Sequence, residues 1–318
     1  MKSLVVGVGN IGLRHIQGLS KLDEKNINIY LFDISKQYLS RFKNEINDLK
    51  KKVNFFFISG DFESIKNINF DITIISTTAD SRVKSLLLIL NKINTKLILL
   101  EKPICHSIND LNLLQNISSK KIFINFPRRY CDWHIKIKNK IQKDYPHEIL
   151  NVLITGKNLG IACNISHYVD LINMWTKCYP LSVNNSYLGN WKNSKRKGFY
   201  EVEGSIQIFF QNNHKLELFS DNKYDALKIS IYNKSNKKIC TINDNKGYAK
   251  FEDEETIYGE IKFQSESTNK LYTILTKEKK HDICNLDLAI KCYDKILNSL
   301  IDHWNKKNNS NVEQIMIT

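Results

Sequence analysis

Glycine is scarce in this chain, 12 of 318 residues, and it follows no Gly-X-Y period, which excludes a collagen-like fold. No apolar run reaches the roughly 18 residues that a membrane-spanning helix needs. The seven cysteines, Cys105, Cys131, Cys163, Cys178, Cys240, Cys284 and Cys292, are odd in number, scattered, and never spaced C-x-x-C. That pattern offers neither a disulfide framework nor a metal site. Arginine is short as well: only six of the 47 basic residues are Arg, the rest Lys, and 37 residues are Asn. The formal charge of +14 is therefore a dispersed lysine surface without the planar forks that base and phosphate recognition favour. No nucleic-acid partner is expected, although such a surface can attract an anionic small molecule. The first residues, Met1 to Val6, meet glycines too early to form the apolar stretch of a signal peptide. These absences predict a reduced, cytoplasmic, soluble protein with no membrane partner.

What is present is enough to build a core. Hydrophobic residues make up 42% and aromatics 10%, which rules out a disordered chain and suits one large or two ordinary domains. The sharpest signal lies in the first 35 residues. Lys2 to Val8 reads as a fully buried strand and leads into Gly7-Val8-Gly9-Asn10-Ile11-Gly12, a G-x-G-x-x-G. Ile11 to Leu22 has helical spacing, and Ile27 to Phe32 is a second strand ending at Asp33. In that context each residue has a job. Gly7 permits the tight turn, Gly9 lets backbone approach a pyrophosphate, and Gly12 lets helix pack on strand. The N–H groups of Asn10 and Ile11 at the helix start face the phosphates. Asp33 would accept hydrogen bonds from the adenosine ribose and repel a 2′-phosphate, so NAD is favoured over NADP.

The α/β alternation continues. Strands are predicted at Val53–Ile58, Phe70–Ser76, Lys96–Leu100 and Lys121–Phe126, with helices at Phe62–Ile68, Asp80–Leu90 and Ser107–Ile117, the last capped by Ser107. Six strands with intervening helices read as a doubly wound parallel Rossmann sheet, a dinucleotide-binding domain over 1–124. Its carboxyl edge, where ligands sit, carries Thr77, Glu101-Lys102 and Asn125. By spacing alone Lys102 reads as one of 41 lysines, at the end of a strand.

Beyond residue 125 the pattern changes to an α+β domain over 125–318 with a mainly antiparallel open sheet. Glu148–Thr155 reads as a strand, His167–Trp175 as a helix, and the period shifts toward two from Tyr187 to Ile274. Within it Glu201–Phe210, His214–Ser220, Ala226–Asn233, Lys238–Asn243 and Tyr248–Phe251 read as strands. Such a sheet can leave one face for a partner subunit, so a homodimer or homotetramer is expected. Trp191–Lys197 is a basic loop, read as solvated or as a contact for a substrate phosphate. Asn285–Trp304 is an amphipathic helix, and Asn305 to Thr318 is a polar tail ending in a short apolar piece. In the first turn of its predicted helix, His167 reads either as a packed helix-start histidine donating to a backbone group or as a neutral imidazole, kept so by the helix dipole, that can accept a proton.

Taken together, the glycine fingerprint continued by Arg14-His15, the acid at Asp33, Glu101-Lys102-Pro103, the crossing segment Asn125–Tyr130 and His167-Tyr168-Val169-Asp170 resemble the Gfo/Idh/MocA family. These are the glucose–fructose oxidoreductase and inositol dehydrogenase-like enzymes. The resemblance implies a two-domain oxidoreductase with NAD on the first domain and a sugar or cyclitol as substrate. Carried over by position, it implies Lys102 at the reacting hydroxyl, His167 as general base, Asp170 in support of it and Glu101 at the nicotinamide ribose. Thr77 joins the cofactor contacts, and Asn164, Arg128 and Arg129 the substrate contacts. The arginines suit a sugar phosphate or nucleotide sugar, as used in surface-polysaccharide synthesis. The chain departs from the family at Cys163, where many members carry Asp, at Thr78 for a Pro, and at Arg82 for a frequent His. The family also contains a non-catalytic regulator, so an NAD-binding regulatory or scaffold protein is the alternative expectation.

Overall fold

The computed structural model describes residues 1–45, 49, 53–58, 60–117, 120–278 and 280–317; Thr318, the end of the expected tail, lies outside them. In chain order the elements begin with β1 (Lys2–Val6), α1 (Asn10–Leu19), β2 (Ile27–Phe32), α2 (Lys36–Glu45), β3 (Val53–Ile58), β4 (Asn69–Phe70), β5 (Ile72–Ile75), α3 (Ala79–Lys92), β6 (Asn94–Thr95), β7 (Ile98–Leu100), α4 (Ile108–Gln115) and β8 (Ile122–Ile124). They continue with α5 (Asp132–Asp144), β9 (Asn151–Gly156), α6 (Ile161–Thr176), β10 (Pro180–Asn184), β11 (Leu188–Asn193), β12 (Tyr200–Phe210), β13 (Lys215–Ser220), β14 (Lys228–Tyr232), β15 (Lys238–Asn243), β16 (Tyr248–Phe251), β17 (Thr256–Tyr258), α7 (Gln264–Lys277) and α8 (Leu286–Asn308).

Two compact units result. One comprises Met1–Cys105, Asn116–Pro127 and Lys262–Leu286; the other His106–Gln115, Arg128–Ile261 and Asp287–Thr318. The units are interleaved where the sequence suggests a single boundary after residue 124. Two contacts explain this. In the first unit α7 packs on α1 so closely that a Cβ at Gly18 would lie 2.6 Å from the Thr268 Cβ. In the second, the C-terminal tail pairs with the 106–108 segment: Ile108 N–H donates to the Glu313 carbonyl and Ile315 N–H to that of His106. The short apolar end of the tail is buried, at Ile315 and Ile317.

In the first unit, six parallel strands are ordered β3-β2-β1-β5-β7-β8. This is the doubly wound arrangement, and the strand order reverses beside β1. Ser3 to Val6 are buried, as a strand covered by helices on both faces requires. The region expected to be a helix at 62–68 is only a 3-10 turn, Glu63–Ile65. Helix α2 escapes the sequence reading because its face is slight: Leu39 and Phe42 are buried in a polar segment.

The second unit is built on a nine-stranded sheet, ordered β10-β12-β13-β9-β14-β15-β16-β17, with β11 also paired to β12. All its pairings are antiparallel except β9 with β13. Strands β15 and β16 have the expected limits. The supposed basic loop begins as a strand, since Trp191 and Lys192 pair with Val202 and Glu201. The period-two reading fails at its end, where α7 is helical. Helix α6 lies on β12 and β13 and is buried around most of its circumference. No helix among the described residues is long and apolar enough to cross a membrane.

Candidate functional site

The glycine turn forms the first half of the site. Gly7 has φ +89°, and a Cβ there would lie 2.8 Å from the Thr77 backbone nitrogen. A Cβ on Gly12 would lie 2.1 Å from the Gly7 carbonyl oxygen, so only glycine lets α1 start this close to β1. Position 9 is different: a Cβ there would meet nothing within 4 Å. That open space lies at the start of α1, where Gly9 is the N-cap, no side chain caps the helix and its first turn holds no acid. The N–H groups of Asn10, Ile11 and Gly12 thus begin a helix whose own first turn supplies no side-chain cap and no carboxylate, with Glu45 of α2 lining the same pocket as Gly9 and Asn10. An uncapped helix start reached through a glycine turn is the kind of cradle that fits a pyrophosphate. At the end of β2, Asp33 accepts the Val8 N–H at 2.7 Å on one oxygen and the Ser35 N–H at 2.8 Å on the other. Its remaining lone pairs can accept ribose hydroxyls. The Thr77 hydroxyl, buried just past β5, has no hydrogen-bond partner among the described residues.

Glu101 and Lys102 follow β7 on the same edge. Glu101 is 6% exposed, and its Oε1 receives His15 Nε2 at 2.8 Å and Asn125 Nδ2 at 2.6 Å. Burial by itself would raise its carboxyl. The hydrogen bond and charge of His15, the Asn125 amide and the charge of Arg82 outweigh that and hold it below the usual carboxylate range. Arg82 donates to the carbonyls of Pro103 and Thr77, fastening the end of β7 to the end of β5. Lys102 is half-buried and its peptide to Pro103 is cis.

The residues expected from the second half of the chain gather in the other unit. Helix α6 starts at Ile161, not at His167. Its entry uses a left-handed Gly160, and its first turn is capped by Glu201 from β12, which accepts the Ala162 N–H at 2.6 Å and the Cys163 N–H at 3.2 Å. His167 therefore lies in the second turn, and the first-turn dipole argument does not apply to it. Cys163, Asn164 and His167 form a half-buried stripe on the otherwise buried N-terminal part of α6. The Asn164 amide also donates to the Leu159 carbonyl at 2.8 Å.

The two arginines have internal carboxylates. Arg129 Nε lies 2.8 and 2.9 Å from the two oxygens of Asp170, and its Nη2 donates to Asn173 at 2.9 Å. Both members of that pair are buried. Arg128 donates through Nε and Nη2 to Asp244, with its guanidinium over the Tyr168 ring. Asp170 thus faces Arg129, and the expectation that the arginine forks grip an anionic substrate loses the support it had. Sequence reasoning missed His15, Arg82, Glu201 and Asp244 as partners. Only His15 carried a signal, standing on the inner face of α1 beside Ile16 and Leu19.

No protein-family model matches the chain, and no curated protein does. Solved structures do. Myo-inositol 2-dehydrogenase from Lactobacillus plantarum matches with a TM-score of 0.66 at 15% identity over 97% of each chain. The scyllo-inositol dehydrogenase from Lactobacillus casei, solved with NAD(H) and scyllo-inositol, matches at 0.66 and 14%, again over 97% of each chain. UDP-N-acetylglucosamine 3-dehydrogenase from Acidithiobacillus ferrooxidans matches at 0.65 and 10% identity, over 94% of this chain and 96% of that one. The likeness is one of fold: a parallel Rossmann-like sheet followed by a mainly antiparallel sheet, as in oxidoreductases of the Gfo/Idh/MocA type.

Proposed function

We propose that this protein is an NAD-dependent oxidoreductase acting on a CH–OH group of a sugar or cyclitol. The observation that carries the reading is the glycine turn: Gly9 opens onto empty space at an uncapped helix start, with Asp33 fixed by two backbone N–H groups at the end of β2. The inositol and UDP-N-acetylglucosamine dehydrogenases of the same fold support the substrate class. Gly7, Gly9, Asn10, Ile11 and Gly12 would hold the pyrophosphate, Asp33 the adenosine ribose, and Thr77, Glu101 and Lys102 the nicotinamide end. A nicotinamide bound there supplies the hydride acceptor.

The chain's own residues would handle the proton. His167 takes the hydroxyl proton as hydride leaves the same carbon, giving a carbonyl and a protonated imidazole. The role that the resemblance gives Lys102 is to stabilise the developing alkoxide and then the carbonyl through its ammonium. Asp170 supports this as an anchor: its ion pair with Arg129 fixes α6 from inside. Asn164, on the same stripe as His167, is the substrate contact that keeps most support. The finer substrate reading is a sugar phosphate or nucleotide sugar of surface-polysaccharide synthesis. The protein would act in the cytoplasm. Leu181 and Phe209, exposed on neighbouring strands β10 and β12, would serve a homodimer or homotetramer.

The test is NAD reduction across a panel of cyclitols, sugars, sugar phosphates and nucleotide sugars, with Lys102→Met and His167→Asn beside the wild type. Turnover of one substrate class, lost about a thousandfold in either variant, is the expected result. Full activity in either variant removes its assigned role. NADH binding with no turnover on any substrate favours the non-catalytic alternative, for which Cys163 in place of an acid is the supporting feature.

A further inference from the structure

Glu101 is one member of a closed ring of hydrogen bonds inside the first unit. Its Oε1 receives His15 Nε2 at 2.8 Å and Asn125 Nδ2 at 2.6 Å. The Asn125 amide also donates to Gln264 Oε1 at 2.8 Å, and Gln264 Nε2 donates to Thr268 Oγ1 at 2.8 Å. The ring closes with His15 Nδ1 at 3.0 Å from the same Thr268 oxygen. Its members come from α1, the ends of β7 and β8, and the start of α7, and they span 253 residues of sequence from His15 to Thr268.

The ring is directional. The Thr268 hydroxyl gives its hydrogen to the Gln264 carbonyl at 2.9 Å, so its oxygen is left to accept. Glu101 Oε1 is filled by two donors. Among the described residues Oε2 receives only the neighbouring Lys102 N–H, at 3.3 Å. The ring therefore fixes which carboxylate oxygen is spent inside and which keeps its acceptor capacity at the carboxyl edge of the sheet. A carboxylate gripped this way cannot rotate without breaking two short bonds in a buried site, where broken bonds are costly.

We propose that His15 and Gln264 are positioning residues that hold the second oxygen of Glu101, Oε2, on the ribose hydroxyls at the nicotinamide end of the cofactor. The inference rests on the dinucleotide reading above. It assigns α7, a segment far from the glycine fingerprint in sequence, a part in cofactor affinity.

The experiment is fluorescence titration of NADH and calorimetric titration of ADP, which lacks the nicotinamide half, into wild type, Gln264→Leu and His15→Phe, with Tm for each. The half-buried Gln264 gives a variant expected to fold even if His15→Phe does not. The expected result is about tenfold weaker NADH binding in Gln264→Leu with ADP affinity unchanged, the scale of one aimed hydrogen bond to a charged group. Equal weakening of NADH and ADP makes the ring a packing feature and overturns the proposal, as does unchanged NADH affinity. A wild type that binds neither NADH nor ADP overturns the dinucleotide reading and this inference with it.

Discussion

The two units hold their candidate residues by different means. In the first, the glycine turn is local: Gly7, Gly9 and Gly12 lie within six residues, and the steric reasons for each are met by the turn and the strand beside it. In the second, α6 is held by residues from elsewhere. Its start is capped by Glu201 and its middle is pinned by Arg129, 38 and 41 residues away in sequence. A site written by spacing can be read from spacing. A site written by partners that fold back can be read only once the fold is known.

The contrast can be broken by substitution. The largest effect is expected at Gly12. Gly12→Val drives a side chain into the Gly7 carbonyl and should weaken NADH binding by at least about a hundredfold, measured by fluorescence titration. Arg129→Leu leaves Asp170 buried without its cation and should cost about 3–5 kcal/mol in urea unfolding. Glu201→Gln should lose about 1 kcal/mol by weakening the cap on α6. If that variant unfolds like wild type, α6 is set by its own sequence and the contrast is wrong.

The smallest effect is pH dependence in the second unit. Asp244 is buried, which would raise its carboxyl, but Arg128 and His134 hold it well below the usual range. His134 is also lowered, chiefly because burial disfavours its charged form, against the pull of Asp244. Both shifts have one sign: the unfolded chain takes up protons first on acidification. Stability should therefore be full near neutrality, begin to fall below about pH 6.5 through His134, and fall further below about pH 4 through Asp244. Asp244→Asn should lower stability at pH 7 and remove the steeper acid limb, as checked by urea unfolding across pH. A variant with the wild-type profile would mean that the Arg128–Asp244 pair adds no net stability.

Legibility followed the same division. The alternation from Lys2 to Phe126 exposed the first sheet because each strand is a short apolar run bounded by polar turns. Strands β15 and β16 were visible because Asn- and Gly-rich turns bracket them. Helices α2, α5 and α7 were not, since each buries a narrow stripe in a lysine- or serine-rich segment. The start of α6 was missed because its cap comes from another strand and its own entry residue is a left-handed glycine, which has no side chain to announce a cap. Arg128 and Arg129 look like substrate forks in a sequence. Their partners, Asp244 and Asp170, lie 116 and 41 residues away.

The most direct test is equilibrium titration of the wild-type protein with NADH and NADPH side by side, monitored by nicotinamide fluorescence. Saturable NADH binding, at least about tenfold tighter than NADPH because Asp33 repels the 2′-phosphate, is the result this structure predicts. Failure to bind either dinucleotide, or tighter binding of NADPH, would contradict it.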